Sequence, residues 1–301
     1  MSNRLAHHGI IVGVDGSPSS TTAVRWAARA AGMRNVPLSL IHVIDTPPSG
    51  LLASGGGAIP LPAGADDWQK TEGANIISAA IRVAEDSAQN GERPQLETEV
   101  FFAAAVPALV DLSKEAQMIV VGDRGHGVLR RALLGSVSNG LIHHAHCPVA
   151  VIHDETPSSA PEASQLPVLV GIDGSPASEL ATAIAFDEAS RRGVELIALH
   201  AWRDKGMSST PDIQWSGQRA AGEEALAERL AGWRERYPDV VVHLRVVIDR
   251  AADHLLDEAE SSQLVVVGSH GRGGFSGMLL GSVSTIVAQA AGVPVIVARQ
   301  R

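Results

Sequence analysis

The 301-residue sequence contains a single cysteine, Cys147. No disulfide can close within one chain, which suits a reducing compartment. Aromatic residues are only 3% of the chain against 45% hydrophobic residues, so the core must be built from Val, Ile, Leu and Ala. Cores of that kind suit parallel sheets covered by helices. Basic residues are in deficit: 24 Lys and Arg stand against 33 Asp and Glu, a net charge of −9 at pH 7. An acidic surface repels a phosphate backbone, which argues against nucleic acid as main partner and leaves room for one locally basic pocket. No apolar run approaches the ~18 residues of a membrane span. Met1 to His8 carries Arg4, His7 and His8 and no apolar stretch, so no signal peptide is expected and the expected location is the cytoplasm.

What is present is a repeat. Residues 12–18 read VGVDGSP and residues 170–176 read VGIDGSP. LLGSVS occurs at 133–138 and again at 279–284, and Cys147-Pro148-Val149 answers Val293-Pro294-Val295. The period is too long for a solenoid unit and reads as a duplicated domain. At about 150 residues per domain the length agrees. We expect one domain over residues 1–153, a linker over 154–166 that is rich in Pro and Ser, and a second domain over 167–301. The Gly- and Pro-rich stretch from Thr46 to Gly64 reads as a long loop or as a flap over a site.

Within a unit, short apolar runs alternate with helical patterns. In the first half, strands are expected at 9–15, 37–44, 96–102, 118–122 and 148–153. Helices are expected from Ser17-Pro18, over 68–89, over 106–116 and over 136–145. In the second half strands are expected near 167–173, 194–201, 240–248, 263–268 and 294–298. This alternation makes an α/β fold: two tandem, doubly wound, five-stranded parallel-sheet domains, Rossmann-like, with strand order 3-2-1-4-5. Ligands then belong at the carboxyl ends of strands 1 and 4.

After strand 4 the halves read Gly122-Asp123-Arg124-Gly125-His126-Gly127-Val128 and Gly268-Ser269-His270-Gly271-Arg272-Gly273-Gly274. These run on to Gly135-Ser136-Val137-Ser138 and Gly281-Ser282-Val283-Ser284. Both fit G-x2-G-x9-G-[ST]. Glycines let the backbone turn and approach a ligand closely, and successive N–H groups make an anion site. The helix opening at Ser136 or Ser282 adds unpaired N–H groups and partial positive charge, which a phosphate satisfies. The plainer alternative makes both serines N-caps and the glycines mere turn formers. Asp15 and Asp173 end strand 1, where a carboxylate can accept from ribose hydroxyls or close an Asx-turn; both roles can coexist.

The Gly-Val/Ile-Asp-Gly-Ser-Pro opening, the two G-x2-G-x9-G-[ST] loops and the Cys/Val-Pro-Val ending resemble the ATP-binding class of universal stress proteins, in the tandem form common in actinobacteria. The match spans essentially the whole chain. The resemblance implies one ATP per unit, with or without Mg2+. It places adenine by the backbone at Val43 and Ala201, ribose at Asp15 and Asp173, and Gly13 and Gly171 near the ligand. Phosphates fall on 122–128 with 135–138 and on 268–274 with 281–284, and Asp204 adds a contact by position. It further implies a homodimer paired through last strands, and a regulatory role in stress response with a protein partner the sequence does not name.

Several residues have two readings. His42 and His200, at matching places in strand 2, read as satisfied core histidines or as ligand contacts. His143 and His146 share a helix face, and charge complementing a helix C-terminus explains them better than a metal. No metal site is expected. Cys147 reads as inert, with redox sensing as the alternative. Arg130 and Arg131 read equally as surface charge or phosphate contacts. Asp123 opposes a polyphosphate unless Arg124 compensates, so the first site is expected to bind ATP more weakly, or equally only with a metal ion. No Walker lysine follows Gly135 or Gly281, and no G-x-G-x-x-G follows strand 1. A slow ATP-hydrolysing or phosphate-transferring enzyme is the alternative to a binder, and a scaffold that has lost its ligand is a further one.

Overall fold

The computed structural model describes residues 9–45, 65–87, 93–125, 134–153, 163–202, 212–271 and 279–299. The chain divides into two compact units on either side of residues 154 and 155. The stretch 46–64 and most of the expected linker lie outside the described residues.

In the first unit the elements run β1 (Ile10–Gly13), α1 (Pro18–Arg34), β2 (Leu38–Ile44), α2 (Ala65–Ser87), β3 (Leu96–Phe102), α3 (Ala105–Leu112), β4 (Met118–Gly122), α4 (Ser136–His144) and β5 (Val149–Ile152). The strands pair in parallel in the order β3-β2-β1-β4-β5, as expected from the alternation. The register sets Val12 beside Leu40 and Val120, so the central strands are walled by apolar neighbours on both sides. Ile10, Ile11, Val12, Ile119 and Val120 are fully buried, because helices cover both faces of a doubly wound sheet. α1 packs on α2 and α3 on α4, one pair per face.

The second unit repeats this plan. After a short 3-10 turn at Ala163–Gln165 come β6 (Val168–Gly171), α5 (Pro176–Arg192), β7 (Leu196–Trp202), α6 (Asp212–Arg236), β8 (Val242–Ile248), α7 (Ala251–Ala259), β9 (Leu264–Gly268), α8 (Ser282–Ala290) and β10 (Val295–Ala298). The order is β8-β7-β6-β9-β10, again all parallel.

Local chemistry explains the element ends. Ser17 and Ser175 cap α1 and α5, accepting from the N–H groups of Ser20 and Ser178 at 3.2 Å, with Pro18 and Pro176 at the first helical position. α3 stops at Leu112 rather than running to Ala116. The Ser113 hydroxyl donates to the Val110 carbonyl at 2.6 Å, and Lys114 and Glu115 close tight turns onto Asp111 and Leu112. α2 opens at Ala65, ahead of the expected Trp68.

Candidate functional site

β1 and β4 are neighbours, and the chain leaves them toward different faces, into α1 and into α4. Their carboxyl ends therefore bound a crevice of the kind in which α/β sheets hold ligands. The same juxtaposition occurs at β6 and β9.

The first wall is the exit of β1. Asp15 Oδ1 accepts the Ser17 N–H at 2.9 Å, and Asp173 Oδ1 accepts the Ser175 N–H at 2.9 Å, so both carboxylates close an Asx-turn. Oδ2 is turned to the opposite wall. A Cβ built on Gly125 would stand 2.6 Å from Asp15 Oδ2, and one on Gly271 would stand 2.7 Å from Asp173 Oδ2. Only glycine admits backbone and carboxylate this close. Gly13 ends β1, and a Cβ there would face Val121 and Leu109; at Gly171 it would face Leu255. Gly171 thus fits tightly under α7, while a Cβ at Gly13 would make ordinary contact with α3.

The second wall is the loop after β4. The first turn of α1 sits directly on Gly122, where a Cβ would collide with Ser19 Oγ; at Gly268 it would come within 2.8 Å of the Ala177 carbonyl carbon. A hydroxyl from that turn ties down the loop in both units by different residues. Ser19 Oγ donates to the Arg124 carbonyl, while Ser175 Oγ donates to the His270 carbonyl at 3.0 Å. The loop returns by a backbone bond, Gly135 N–H to the Asp123 carbonyl at 2.8 Å and Gly281 N–H to the Ser269 carbonyl at 2.7 Å.

α4 and α8 then begin. Gly135 and Gly281 are the N-caps, extended and without a side-chain cap, so Ser136 and Ser282 are first helical residues rather than caps. The first-turn amides of Ser136, Val137 and Ser138, and of Ser282, Val283 and Ser284, gain no acceptor from a cap side chain and form the positive end of a helix dipole. The buried hydroxyls of Ser138 and Ser284 serve the scaffold. Ser138 Oγ lies 2.9 Å from the Asp123 carbonyl and 3.0 Å from that of Gly135; Ser284 Oγ lies 2.7 Å from the Gly268 carbonyl and 3.3 Å from that of Ser269.

Val43 and Ala201 sit one residue before the ends of β2 and β7, half-buried, in register with Phe101 and Val247. The crevice thus brings together, in each unit, the β1 carboxylate, the loop glycines and the helix start. His126, Gly127, Val128, Asp204, Arg272, Gly273 and Gly274 lie outside the described residues, as do Arg130 and Arg131.

Beneath the loops the units part ways. Asp123 is 3% exposed, and its Oδ2 binds Arg124 Nε and Nη2 at 2.8 Å and faces His153 Nδ1 at 3.6 Å. Burial pushes the Asp123 carboxyl up, but hydrogen bonding and charge from His153 and Arg124 outweigh it and hold the group below the ordinary carboxylate value. Its Oδ1 is buried without a hydrogen-bond partner among the described residues. In the second unit the corresponding residues are Ser269, whose Oγ lies 3.1 Å from His270 Nδ1, and Arg299, whose Nη1 donates to the Leu279 carbonyl at 2.9 Å. Burial lowers the Arg299 pKa. His153, Ser19 and Ser175 escape sequence reasoning. The one available signal was that His153 and Arg299 hold the same place after their last strands.

His143 and His144 fall in the last turn of α4, with His143 Nδ1 2.7 Å from the Asn139 carbonyl, and among the described residues no three acidic, His or Cys side chains gather as metal ligands. Cys147 is buried. No helix among the described residues is long and apolar enough to cross a membrane.

Residues 7–153 and 166–299 each match the model of the universal stress protein family. A universal stress protein of Mycobacterium tuberculosis is 52% identical over 300 residues, covering 100% of this chain and 99% of that protein. One from Mycolicibacterium smegmatis is 50% identical over 301 residues, with both chains covered fully. The crystal structure of a universal stress protein from Archaeoglobus fulgidus superposes with a TM-score of 0.68 at 20% identity, over 97% of this chain and 98% of that one, and shares the fold. Two matches to the family model, relatives aligned from end to end, and the same crevice built twice place this chain in the universal stress protein family as a tandem-domain member.

Proposed function

We propose that each unit binds one ATP in the crevice between its β1 and β4 ends, and that the protein acts as a regulatory nucleotide binder in the stress response. The observation that carries this reading is the pairing, in both units, of a β1 carboxylate with a loop glycine against it and a glycine-capped helix start beyond. A carboxylate beside a helix N-terminus suits a ligand with hydroxyls at one end and anionic oxygens at the other. Asp15 and Asp173 take the ribose. The amides of 135–138 and 281–284 take phosphate, in a site made of backbone donors. Adenine lies over the β2 and β7 ends at Val43 and Ala201. A magnesium ion accompanies the phosphates where charge demands it.

The role is occupancy rather than turnover. No lysine follows Gly135 or Gly281 to draw charge off a leaving phosphate, and serine follows instead. Bound nucleotide changes the surface around the β1 and β4 ends, and around the β6 and β9 ends, that is read by a partner or by a second copy of the chain, in the cytoplasm. A ligand shifts such a balance only by its difference in affinity for the two states. Calorimetric titration of the full chain with ATP tests the reading: two nucleotides per chain are expected, and silence at millimolar ATP would refute it. A phosphate-release assay on the same sample is expected to show no multiple turnover.

A further inference from the structure

β1 ends at Gly13, so the next carbonyl, that of Val14, lies beyond the strand; Val14 is buried, and a buried carbonyl needs a donor. His42 supplies it from the neighbouring strand, with Nδ1 2.7 Å from the Val14 oxygen. In the second unit His200 Nδ1 lies 2.6 Å from the Ile172 oxygen. A carbonyl only accepts, so Nδ1 carries the proton in both imidazoles. Each carbonyl belongs to the peptide joined to the site carboxylate, Asp15 or Asp173. The preceding amides are clamped too, Val14 N–H to Ile41 and Ile172 N–H to Leu199, both at 2.8 Å.

We propose that His42 and His200 are positioning residues for the carboxylates of Asp15 and Asp173, and through them set each site's preference for a ligand bearing ribose hydroxyls. This rests on the nucleotide reading above. The imidazole fixes the plane of the peptide from which the carboxylate hangs. The carboxylate has little latitude, because Oδ1 is committed to the turn and Oδ2 lies against the loop glycine. The two units hold the ring by different means: Gly73 of α2 packs on His42, where a Cβ would come within 3.1 Å of Cδ2, whereas Trp202 meets His200 edge-on at 6.0 Å between centroids. Different supports converge on one hydrogen bond, in units whose loops otherwise differ at Asp123 and Ser269.

The test uses the full chain carrying Gly271→Val, which drives a side chain onto Asp173 and closes the second site, so that calorimetry reads the first alone. ATP is titrated against 2′,3′-dideoxy-ATP in this parent, in His42→Asn, which keeps an N–H donor near the Nδ1 position, and in His42→Leu, which removes it. The parent is expected to prefer ATP by about tenfold, the scale of one hydrogen bond to a charged acceptor. His42→Asn keeps that ratio. His42→Leu brings it close to one by weakening ATP alone, with dideoxy-ATP affinity unchanged. A merely structural histidine would weaken both ligands together, and that result, or an intact ratio in His42→Leu, overturns the proposal. Should His42→Leu not fold, His42→Gln, whose amide reaches the Nε2 position, takes its place with the same expected loss of ratio. A parent that binds no ATP sinks the nucleotide reading itself; a parent that binds both ligands equally sinks this proposal and leaves that reading standing.

Discussion

The absence of one carbon at Gly125 decides whether its loop can approach Asp15. A methyl group there would sit 2.6 Å from a carboxylate oxygen, well inside contact distance, so either the Asx-turn or the loop must move. Gly125→Ala is expected to weaken ATP binding in the first unit by tenfold or more while the second unit titrates normally, and Gly271→Ala is expected to do the reverse. Calorimetry would then count one nucleotide per chain where the parent binds two. Asp123 makes a second residue-scale case. Its carboxylate is buried and held by Arg124 and His153, so Asp123→Asn removes a charge-assisted bond at a cost of about 1–3 kcal/mol. Because its pKa is depressed on folding, the stabilisation is complete above the unfolded carboxylate value of roughly 4 and fades as pH falls through the lower folded-state value. Urea unfolding should show the full gap between parent and variant at pH 6 and a shrinking gap below about pH 4. A gap unchanged down to pH 3 would mean that folding leaves the Asp123 pKa where it stands in the unfolded chain.

Elements carry the site because each helix start is fastened to the preceding strand end. Ser138, 2% exposed, is the pin for α4, and its hydroxyl serves two carbonyls at once. Ser138→Ala is expected to cost about 1–2 kcal/mol and to speed hydrogen exchange at the first-turn amides. Ser136→Ala, at a first helical position that caps nothing, should stay within about 0.5 kcal/mol. Equal effects from the two would show that the pin is not where the geometry puts it. These elements were legible to different degrees. β3 and β4 begin and end where the sequence put them: β4 is a continuous apolar run buried almost throughout, and β3, at the edge of the sheet, is half-exposed along its length. The Ser17-Pro18 start of α1 was equally plain, being local chemistry. What failed to show was contact across sequence. Nothing near Ser113 announced that its hydroxyl would end α3, and Ser136 looked as capable of capping as Gly135 proved to be. The neighbouring strands were anticipated, but which side chain of one meets Asp123, His42 or Ser19 depends on register and rotamers that no spacing rule encodes.

At the scale of the molecule, duplication has kept one scaffold and changed the charge beneath its two loops. In the first unit an ionised Asp123 spends the guanidinium of Arg124, with His153 behind it; in the second, neutral Ser269 stands beside His270, with the Arg299 cation at the end of β10. A triphosphate approaching the first loop meets a cation already engaged, and one approaching the second meets no carboxylate at that position. With Gly271→Val and Gly125→Val isolating the sites in the full chain, metal-free ATP should bind the first unit about tenfold more weakly, a difference of about 1.4 kcal/mol. Added Mg2+ should narrow that gap, since the cation removes part of the phosphate charge that Asp123 opposes. Arg130 and Arg131 in the first loop stand against Arg272 alone in the second, and were they to govern binding the order of affinities would invert. The same titration in Asp123→Ser, which gives the first unit the second unit's residue, separates the causes: affinity rises if Asp123 restrains Arg124 and stays level if the distant arginines set it.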